Sequence, residues 1–232
     1  MKVIKMINSI KKILKTFQNY LKYRKLSRHN FQKDHWEEYL LDYDGVHELF
    51  GHEWGDPEDS KDRFGDYLSV KNLLISKINP NTVVLEIGSL GGKWTQYLMG
   101  CKRVIAMDIN ESFKNLLQKR FSGSNNLEFY VGRGGDLQGI PNGSVNLVFT
   151  MDTFTRVQEK HIRSYFKEIS RVLVKNGEAI LHCPNSDLPV SKERAFTPLK
   201  TRDLQEMAKS NFTDFFIDSK TLKHGSLLVV KK

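Results

Sequence analysis

A glycine-rich turn with acidic residues on either side is the part of the sequence best suited to chemistry. Glu86 precedes Gly88, Gly91 and Gly92, and the segment follows a β-branched run and opens a helical stretch. Glycines let a ligand approach the backbone, and a helix N-terminus offers unpaired N–H groups. Asp108 ends the next predicted strand, where a carboxylate can accept hydrogen bonds from a ribose. Because Glu86 would repel a pyrophosphate, the pattern predicts a ligand with an ammonium group and no phosphate, rather than a dinucleotide.

Polar residues after the fourth and fifth predicted strands are the candidates for catalysis. Asp152 and Arg156 follow the strand 145–150, and His182 lies near the end of the strand 178–183. Open α/β sheets bind ligands at these carboxyl ends. His182 is suited to act as a general base, with an ordinary pKa near 6.5, or is a strand-end histidine with a structural role. Arg156 is suited to clamp a phosphate or carboxylate of the acceptor, or is a surface arginine.

Two further features stay open at this stage. His224 lies in the final predicted hairpin and either borders an acceptor pocket or reflects ordinary loop polarity. No set of Cys and His residues has zinc spacing, and we expect no metal. The alternative is a divalent ion held by Asp136, Asp152 and a neighbour, although no feature of the sequence positively indicates one.

Alternating strands and helices must position these residues. Strands are predicted at 82–87, 103–108, 127–131, 145–150, 178–183, 214–217 and 227–230. Helices are predicted at 93–99, 110–121 (with Asn110 as N-cap), 158–174 and 203–210. Such alternation indicates an α/β fold with a parallel sheet between two layers of helices.

The charge distribution divides the chain into three parts. The protein has 232 residues with a formal net charge of +9. Residues 1–33 contain ten Lys or Arg and no acid, and their apolar residues recur at helical spacing, which predicts a basic amphipathic helix. Residues 34–66 are acidic and aromatic, and we expect a cap over the site, or an irregular segment packed on the core. Residues 67–232 form the main domain, and because the chain beyond residue 33 is nearly neutral, a nucleic-acid partner is not expected.

Composition also bounds the cellular setting. No apolar run approaches the ~20 residues of a membrane span. Two cysteines are too few for a disulfide framework, so we expect a reducing, cytoplasmic location. The helix 1–33 either lies on an anionic membrane surface or packs on its own domain or a second subunit. The oligomeric state is not predicted.

From about residue 67 onward the sequence resembles the class I S-adenosylmethionine-dependent methyltransferases. The matching residues are Glu86, Gly88, Gly91 and Gly92 of the first motif, the ribose-binding acid Asp108, Gly135–Asp136 ahead of Pro141, the strand 145–150, and the run 166–178 with Arg171 and Gly177. The segments 53–57 and 94–95 are similar to a bacterial subgroup often associated with glycan or other small-molecule modification.

This resemblance implies S-adenosylmethionine as cofactor and a Rossmann-like, seven-stranded sheet whose last strand runs antiparallel. The implied cofactor-binding residues are Glu86, Gly88, Ser89, Gly91, Asp108, Ile109, Gly135, Asp136 and Met151. Asn146 and Arg156 depart from the family pattern, Arg156 standing where a site histidine is common, so the catalytic group stays open among Asp152, Arg156 and His182. The expected acceptor is a hydroxyl of a small molecule or glycan precursor; the alternatives are a membrane lipid or quinone, RNA, or a non-catalytic scaffold.

Overall fold

The computed structural model describes residues 55–194 and 196–232. The predicted helix 1–33 and most of the predicted cap 34–66 therefore lie outside the described residues. The last part of the cap, residues 55–66, is described and packs on the domain: Gly65 pairs with Leu222, and the Asp66 backbone N–H donates to the Thr221 carbonyl at 2.9 Å.

A single seven-stranded sheet forms the centre of this part of the chain. Its strands are β1 (Val83–Ile87), β2 (Arg103–Asp108), β3 (Leu127–Val131), β4 (Val145–Thr150), β5 (Leu173–Cys183), β6 (Asp214–Asp218) and β7 (Ser226–Lys231). The order across the sheet is β3-β2-β1-β4-β5-β7-β6. Strand β7 runs antiparallel to both of its neighbours, and the β1–β2, β1–β4, β2–β3 and β4–β5 pairs are parallel. The expected fold class is confirmed.

Helices cover both faces of the sheet. They are α1 (Tyr67–Ser76), α2 (Ser112–Arg120), α3 (Glu159–Val172), α4 (Pro189–Glu193) and α5 (Thr201–Asn211), with short 3-10 helices at Thr95–Leu98 and Phe154–Arg156. Among the described residues, no helix has the length and apolar character needed to cross a membrane.

Two apolar clusters, one on each face, fix these layers. On one face α3 buries Ile162, Phe166 and Ile169, whose three- and four-residue spacing puts them on one side of the helix. On the other face α1 buries Tyr67 and Leu74 against β1 and β4. Because helices pack on both faces of the sheet, the carboxyl ends of β1, β2, β4 and β5 are held together at one edge of it.

Three local predictions need correction. The stretch 93–99 forms only the 3-10 turn Thr95–Leu98 rather than an α-helix. Helix α2 begins at Ser112, because Asn110 accepts the Ser112 backbone N–H in a turn of its own, at 2.9 Å, before the helix starts. Strand β5 begins at Leu173, directly after α3, and includes Asn176, whose φ of +62° occupies the left-handed region.

Candidate functional site

The glycine turn lies at the carboxyl end of β1. Gly88 has a φ of +79°, and its N–H donates to the Met107 carbonyl of β2 at 2.7 Å. A Cβ on Gly88 would lie 2.0 Å from Oγ1 of Thr153, so the turn and the loop after β4 are in close contact. Arg120 of α2 donates to the carbonyl of Gly91 at 2.9 Å. The turn is thus held from three neighbouring elements, which fixes the direction of its backbone groups.

Two buried acids flank this turn, as expected. Glu86 is 2% exposed and accepts a hydrogen bond from the Thr95 hydroxyl at 2.6 Å. Burial raises the pKa of Glu86 to about 8, although the Thr95 hydrogen bond acts in the opposite direction. Burial also raises the pKa of Asp108 to about 6, and backbone hydrogen bonds from Asn110 and Leu90 offset part of that shift. A buried acid gains most from a cationic or hydrogen-bond-donating ligand, so both sites suit the ammonium group and ribose of S-adenosylmethionine.

Unsatisfied polar atoms lie beside the same turn. Within residues 55–194 and 196–232, Ser89 Oγ and Asn110 Nδ2 are buried and have no hydrogen-bond partner. Such atoms are costly unless a ligand or a water pairs with them, so they fit a polar ligand here. Ile109, half-buried, follows Asp108, and Met151 is 5% exposed after β4. These two side chains supply apolar surface at the strand ends.

The loop that contains Gly135 and Asp136 is anchored by α3. Arg171 donates to the carbonyls of Leu137 and Ile140 at 3.1 and 2.9 Å, and Glu168 accepts the Leu137 N–H at 3.1 Å. Gly135 has a φ of +90°, and a Cβ there would lie 2.7 Å from His161 Nδ1. Asp136 is half-buried. The run 166–178 of the resemblance thus has a physical role, since its Glu168 and Arg171 fix the predicted adenine-contacting loop.

Asp152 is the centre of a polar cluster at the carboxyl ends of β4 and β5. The Tyr67 hydroxyl donates to its Oδ2 at 3.1 Å, and His224 Nε2 lies 2.8 Å from its Oδ1. His182 Nδ1 lies 3.0 Å from the same Oδ1 and 3.1 Å from the Asp152 backbone nitrogen. The side chain of Asp152 is 22% exposed, against 0% for His182 and 5% for His224. Asp152 is therefore the member of the cluster that a second substrate can reach.

Charge in this cluster is centred on an ionised Asp152. Burial raises its pKa, but hydrogen bonding with His182 and His224 outweighs burial and holds the pKa well below the usual range. The ammonium of Lys93, 3.9 Å from Oδ2, acts in the same direction. Burial, and after it the charge of His224, lower the pKa of His182, so this ring is neutral.

His224 contacts both Asp152 and the backbone just ahead of α1. Its Nδ1 lies 3.2 Å from the carbonyl oxygen of Phe64, and its Nε2 faces Asp152 Oδ1. His224 therefore links the Asp152 carboxylate to the segment ahead of α1.

The same three side chains are the metal-ligand set that the described residues offer. Ligand atoms of Asp152, His182 and His224 lie within 4.8 Å of one another, and Asp136 is not among them. Two histidines and a carboxylate suit a transition metal. Here, however, the Lys93 ammonium opposes a divalent cation, and the ligand atoms already pair with one another. We therefore interpret the cluster as a hydrogen-bonded proton acceptor.

Arg156 ends the 3-10 helix after β4 and is exposed. Its Cζ lies 5.3 Å from the centre of the Phe196 ring. Neighbouring protein atoms partly desolvate the guanidinium; this desolvation and the nearby charge of Arg194 lower the pKa of Arg156, whereas the charge of Asp152 raises it. It is thus close enough to interact electrostatically with the polar cluster.

Sequence reasoning did not identify Tyr67 and Lys93 as site residues, and it left His224 open. Tyr67 begins α1 directly after its N-cap Asp66, and Lys93 follows the glycine turn. An Asp followed by apolar residues at positions 67, 70 and 74 was the available signal for a helix here. For His224 the signal was its position just before β7, which pairs with β5 and so brings the residue beside His182.

Comparisons with known proteins identify this architecture. A family model described as "Methyltransferase domain" matches residues 85–181, the part that carries β1 to β5. No curated protein matches the chain by sequence.

Three solved structures illustrate the shared fold. The YcgJ protein of Bacillus subtilis is 18% identical with a TM-score of 0.56, over 65% of this chain and 70% of that one. An S-adenosylmethionine-dependent methyltransferase from Mesorhizobium loti is 8% identical with a TM-score of 0.58, over 71% and 96%. The [4+2]-cyclase SpnF is 11% identical with a TM-score of 0.57, over 72% and 82%. Likeness at these identities shows the fold, and one fold hosts several reactions. Residues 85–181 thus match the methyltransferase-domain family, and the fold around them supports a class I domain with S-adenosylmethionine as its cofactor.

Proposed function

We propose that the protein transfers the methyl group of S-adenosylmethionine to a hydroxyl of a small molecule or glycan precursor. The observation that carries this proposal is the polar cluster around Asp152. It lies one residue from Thr153, which contacts the glycine turn at Gly88. A proton acceptor beside the cofactor turn is what an O-methyl transfer needs.

In this proposal the cofactor is held by the residues expected from the sequence. Glu86 pairs with the ammonium group and Asp108 with the ribose. The backbone at Gly88, Ser89 and Gly91 lies along the methionine part. A further group lines the adenosine: Ile109, Gly135, Asp136 and Met151. When bound, the cofactor supplies an electrophilic methyl carbon attached to a sulfonium.

Asp152 is the residue that would act on the acceptor. Its exposed carboxylate accepts a hydrogen bond from the acceptor hydroxyl and aims the oxygen lone pair at the methyl carbon. As the O–C bond would form and the C–S bond of the sulfonium would break to release S-adenosylhomocysteine, the hydroxyl oxygen would gain positive charge and its proton would become strongly acidic. A carboxylate of low pKa is then a sufficient acceptor, and its 2.8 Å hydrogen bond with His224 holds it in place. Tyr67 donates to the carboxylate and His182 Nδ1 accepts the Asp152 backbone N–H, so both orient this residue.

Three other properties of the sequence support the setting that we propose. Cys101 and Cys183 are free and buried, which is typical of a reducing compartment such as the cytoplasm. The similarity of the segment 53–57 to a bacterial subgroup often associated with glycan or other small-molecule modification supports an acceptor of that kind. The basic segment 1–33 would bring the enzyme to an anionic membrane surface where glycan precursors are assembled.

A turnover assay tests this proposal. The full-length protein is incubated with S-adenosylmethionine and a panel of sugars, sugar phosphates and nucleotide sugars, and S-adenosylhomocysteine is measured by mass spectrometry. We expect acceptor-dependent turnover that falls at least about 100-fold in Asp152→Asn. Asp214→Asn, an exposed substitution at the edge strand β6, is the matched control and should keep full activity. Equal activity in Asp152→Asn and the wild type would contradict the proposed role.

A further inference from the structure

Three arginines surround the outer side of the polar cluster, and we call them the arginine rim: Arg63, Arg156 and Arg194. The Cζ atoms of Arg194 and Arg63 lie 4.2 and 4.5 Å from the centre of the Phe64 ring. Arg156 lies over the Phe196 ring, as described above. All three arginines are exposed, while the two phenylalanines are buried.

The two phenylalanine rings connect the rim to the cluster. The centres of Phe64 and Phe196 lie 5.2 and 6.1 Å from the centre of the His224 ring. His224 in turn contacts Asp152. Two rings, a phenylalanine and then His224, therefore lie between the guanidinium groups and the carboxylate that we propose to act on the acceptor.

Stacking on aromatic rings prepares a guanidinium for anion binding. The ring occupies one face of the guanidinium, and the N–H donors lie in the guanidinium plane. The edges of this plane match two oxygens of a phosphate with paired hydrogen bonds. The rings also restrict the arginine side chains, so less conformational entropy is lost when a ligand binds.

The positive charges of the rim act on one another and on the cluster. The charge of Arg194 is one of the causes that lower the pKa of Arg156, after desolvation by neighbouring protein atoms. The charge of Arg194 also acts against the rise that burial causes in the pKa of Tyr67. Two guanidinium groups within electrostatic reach of each other repel, and a multiply charged anion between them turns that repulsion into attraction.

From this arrangement we infer that the acceptor carries a phosphate or diphosphate group. Arg156 and Arg194 bind that group, with Arg63 at its outer side, while the acceptor hydroxyl lies at Asp152. The substrate class is a phosphorylated hydroxyl compound, such as a sugar phosphate or nucleotide sugar, rather than a neutral one. This inference rests on the proposed function, because it places the anion beside the proposed reaction centre.

Calorimetry with inorganic pyrophosphate and inorganic phosphate as probes tests the inference. The full-length protein is titrated at about 50 and 150 mM salt in the presence of S-adenosylhomocysteine. We expect the wild type to bind pyrophosphate more tightly than phosphate. The variants Arg156→Ala and Arg194→Ala should bind pyrophosphate at least tenfold more weakly than the wild type does. Arg156→Lys should recover only part of the affinity, because an ammonium lacks the paired donors. Arg202→Ala, which removes an arginine of 80% exposure at the start of α5, is the matched control and should bind as the wild type does.

The source of the phosphate is distinguished by a second arm with vesicles of phosphatidylcholine and phosphatidic acid. A loss of binding to phosphatidic acid vesicles in the Arg156 and Arg194 variants, alongside their loss of pyrophosphate binding, would place the phosphate on a lipid and overturn the soluble substrate class. Equal pyrophosphate binding by all variants, or none by the wild type, would overturn the inference itself. Binding of S-adenosylhomocysteine is measured in the same samples, so that a failure of this inference can be told from a failure of the proposed function. If the folded wild type does not bind S-adenosylhomocysteine, it is the proposed function that is contradicted.

Discussion

The affinity for S-adenosylmethionine should depend steeply on pH because of Glu86. This carboxyl is 2% exposed, and burial raises its pKa to about 8. A bound ammonium group favours the ionised form, so binding below pH 8 must include the release of a proton. About 1% of Glu86 is ionised at pH 6.0 and about a quarter at pH 7.5, which predicts an affinity about 25-fold higher at pH 7.5. Asp108, whose pKa is about 6, adds at most about a further twofold.

Calorimetry in buffers of different ionisation enthalpy measures both the affinity and the proton release. Glu86→Gln keeps a side-chain partner for Thr95. In this variant the affinity for S-adenosylmethionine should change between pH 6.0 and 7.5 only by the small contribution of Asp108. Glu206→Gln, an exposed substitution on α5, should keep the wild-type dependence. A flat wild-type profile, or an unchanged slope in Glu86→Gln, would refute the assignment of Glu86 to the ammonium group.

Three further predictions address the turn, the cluster and the core. Gly88→Ala should abolish S-adenosylhomocysteine binding in calorimetry, because its Cβ would lie 2.0 Å from Oγ1 of Thr153 at a φ of +79°; wild-type affinity would show that the turn does not carry the ligand. His224→Ala should lower turnover about 100-fold or more while S-adenosylhomocysteine affinity changes less than about threefold, and equal losses in both would point to a structural role instead. Phe166→Ala should lower the free energy of unfolding in urea by about 3–5 kcal/mol, because the ring is fully buried between α3 and the sheet. A loss below about 1 kcal/mol would mean that this face of the sheet is not packed as described.

The strands were predictable because each is a short apolar or β-branched run between turn residues. The bounds expected for β2, β3 and β4 agree with the structure. The parallel direction of the strands was expected because strands alternate with helices along the chain. Helix α1 was missed, although Asp66 caps it and Tyr67, Val70 and Leu74 show its period. The stretch 93–99 was wrongly predicted as an α-helix; it forms only a short 3-10 turn.

The cofactor turn could be predicted more fully than the acceptor side. Glu86, Gly88 and Asp108 come from two consecutive strands, so local spacing alone places them together. The polar cluster joins residues 72 and 157 positions apart, Asp152 with His224 and Tyr67 with His224. Those contacts depend on the sheet order, with β7 inserted beside β5, which local periodicity does not encode.

The most direct test of this account is the binding of S-adenosylhomocysteine to the full-length protein, measured by calorimetry for the wild type, Asp108→Ala and Asp152→Asn. We expect micromolar binding by the wild type, a loss of at least tenfold in Asp108→Ala, and unchanged affinity in Asp152→Asn, because Asp152 faces the acceptor rather than the ribose. Binding by the wild type that survives Asp108→Ala unchanged, or no binding by a folded wild-type sample, would contradict the site described here.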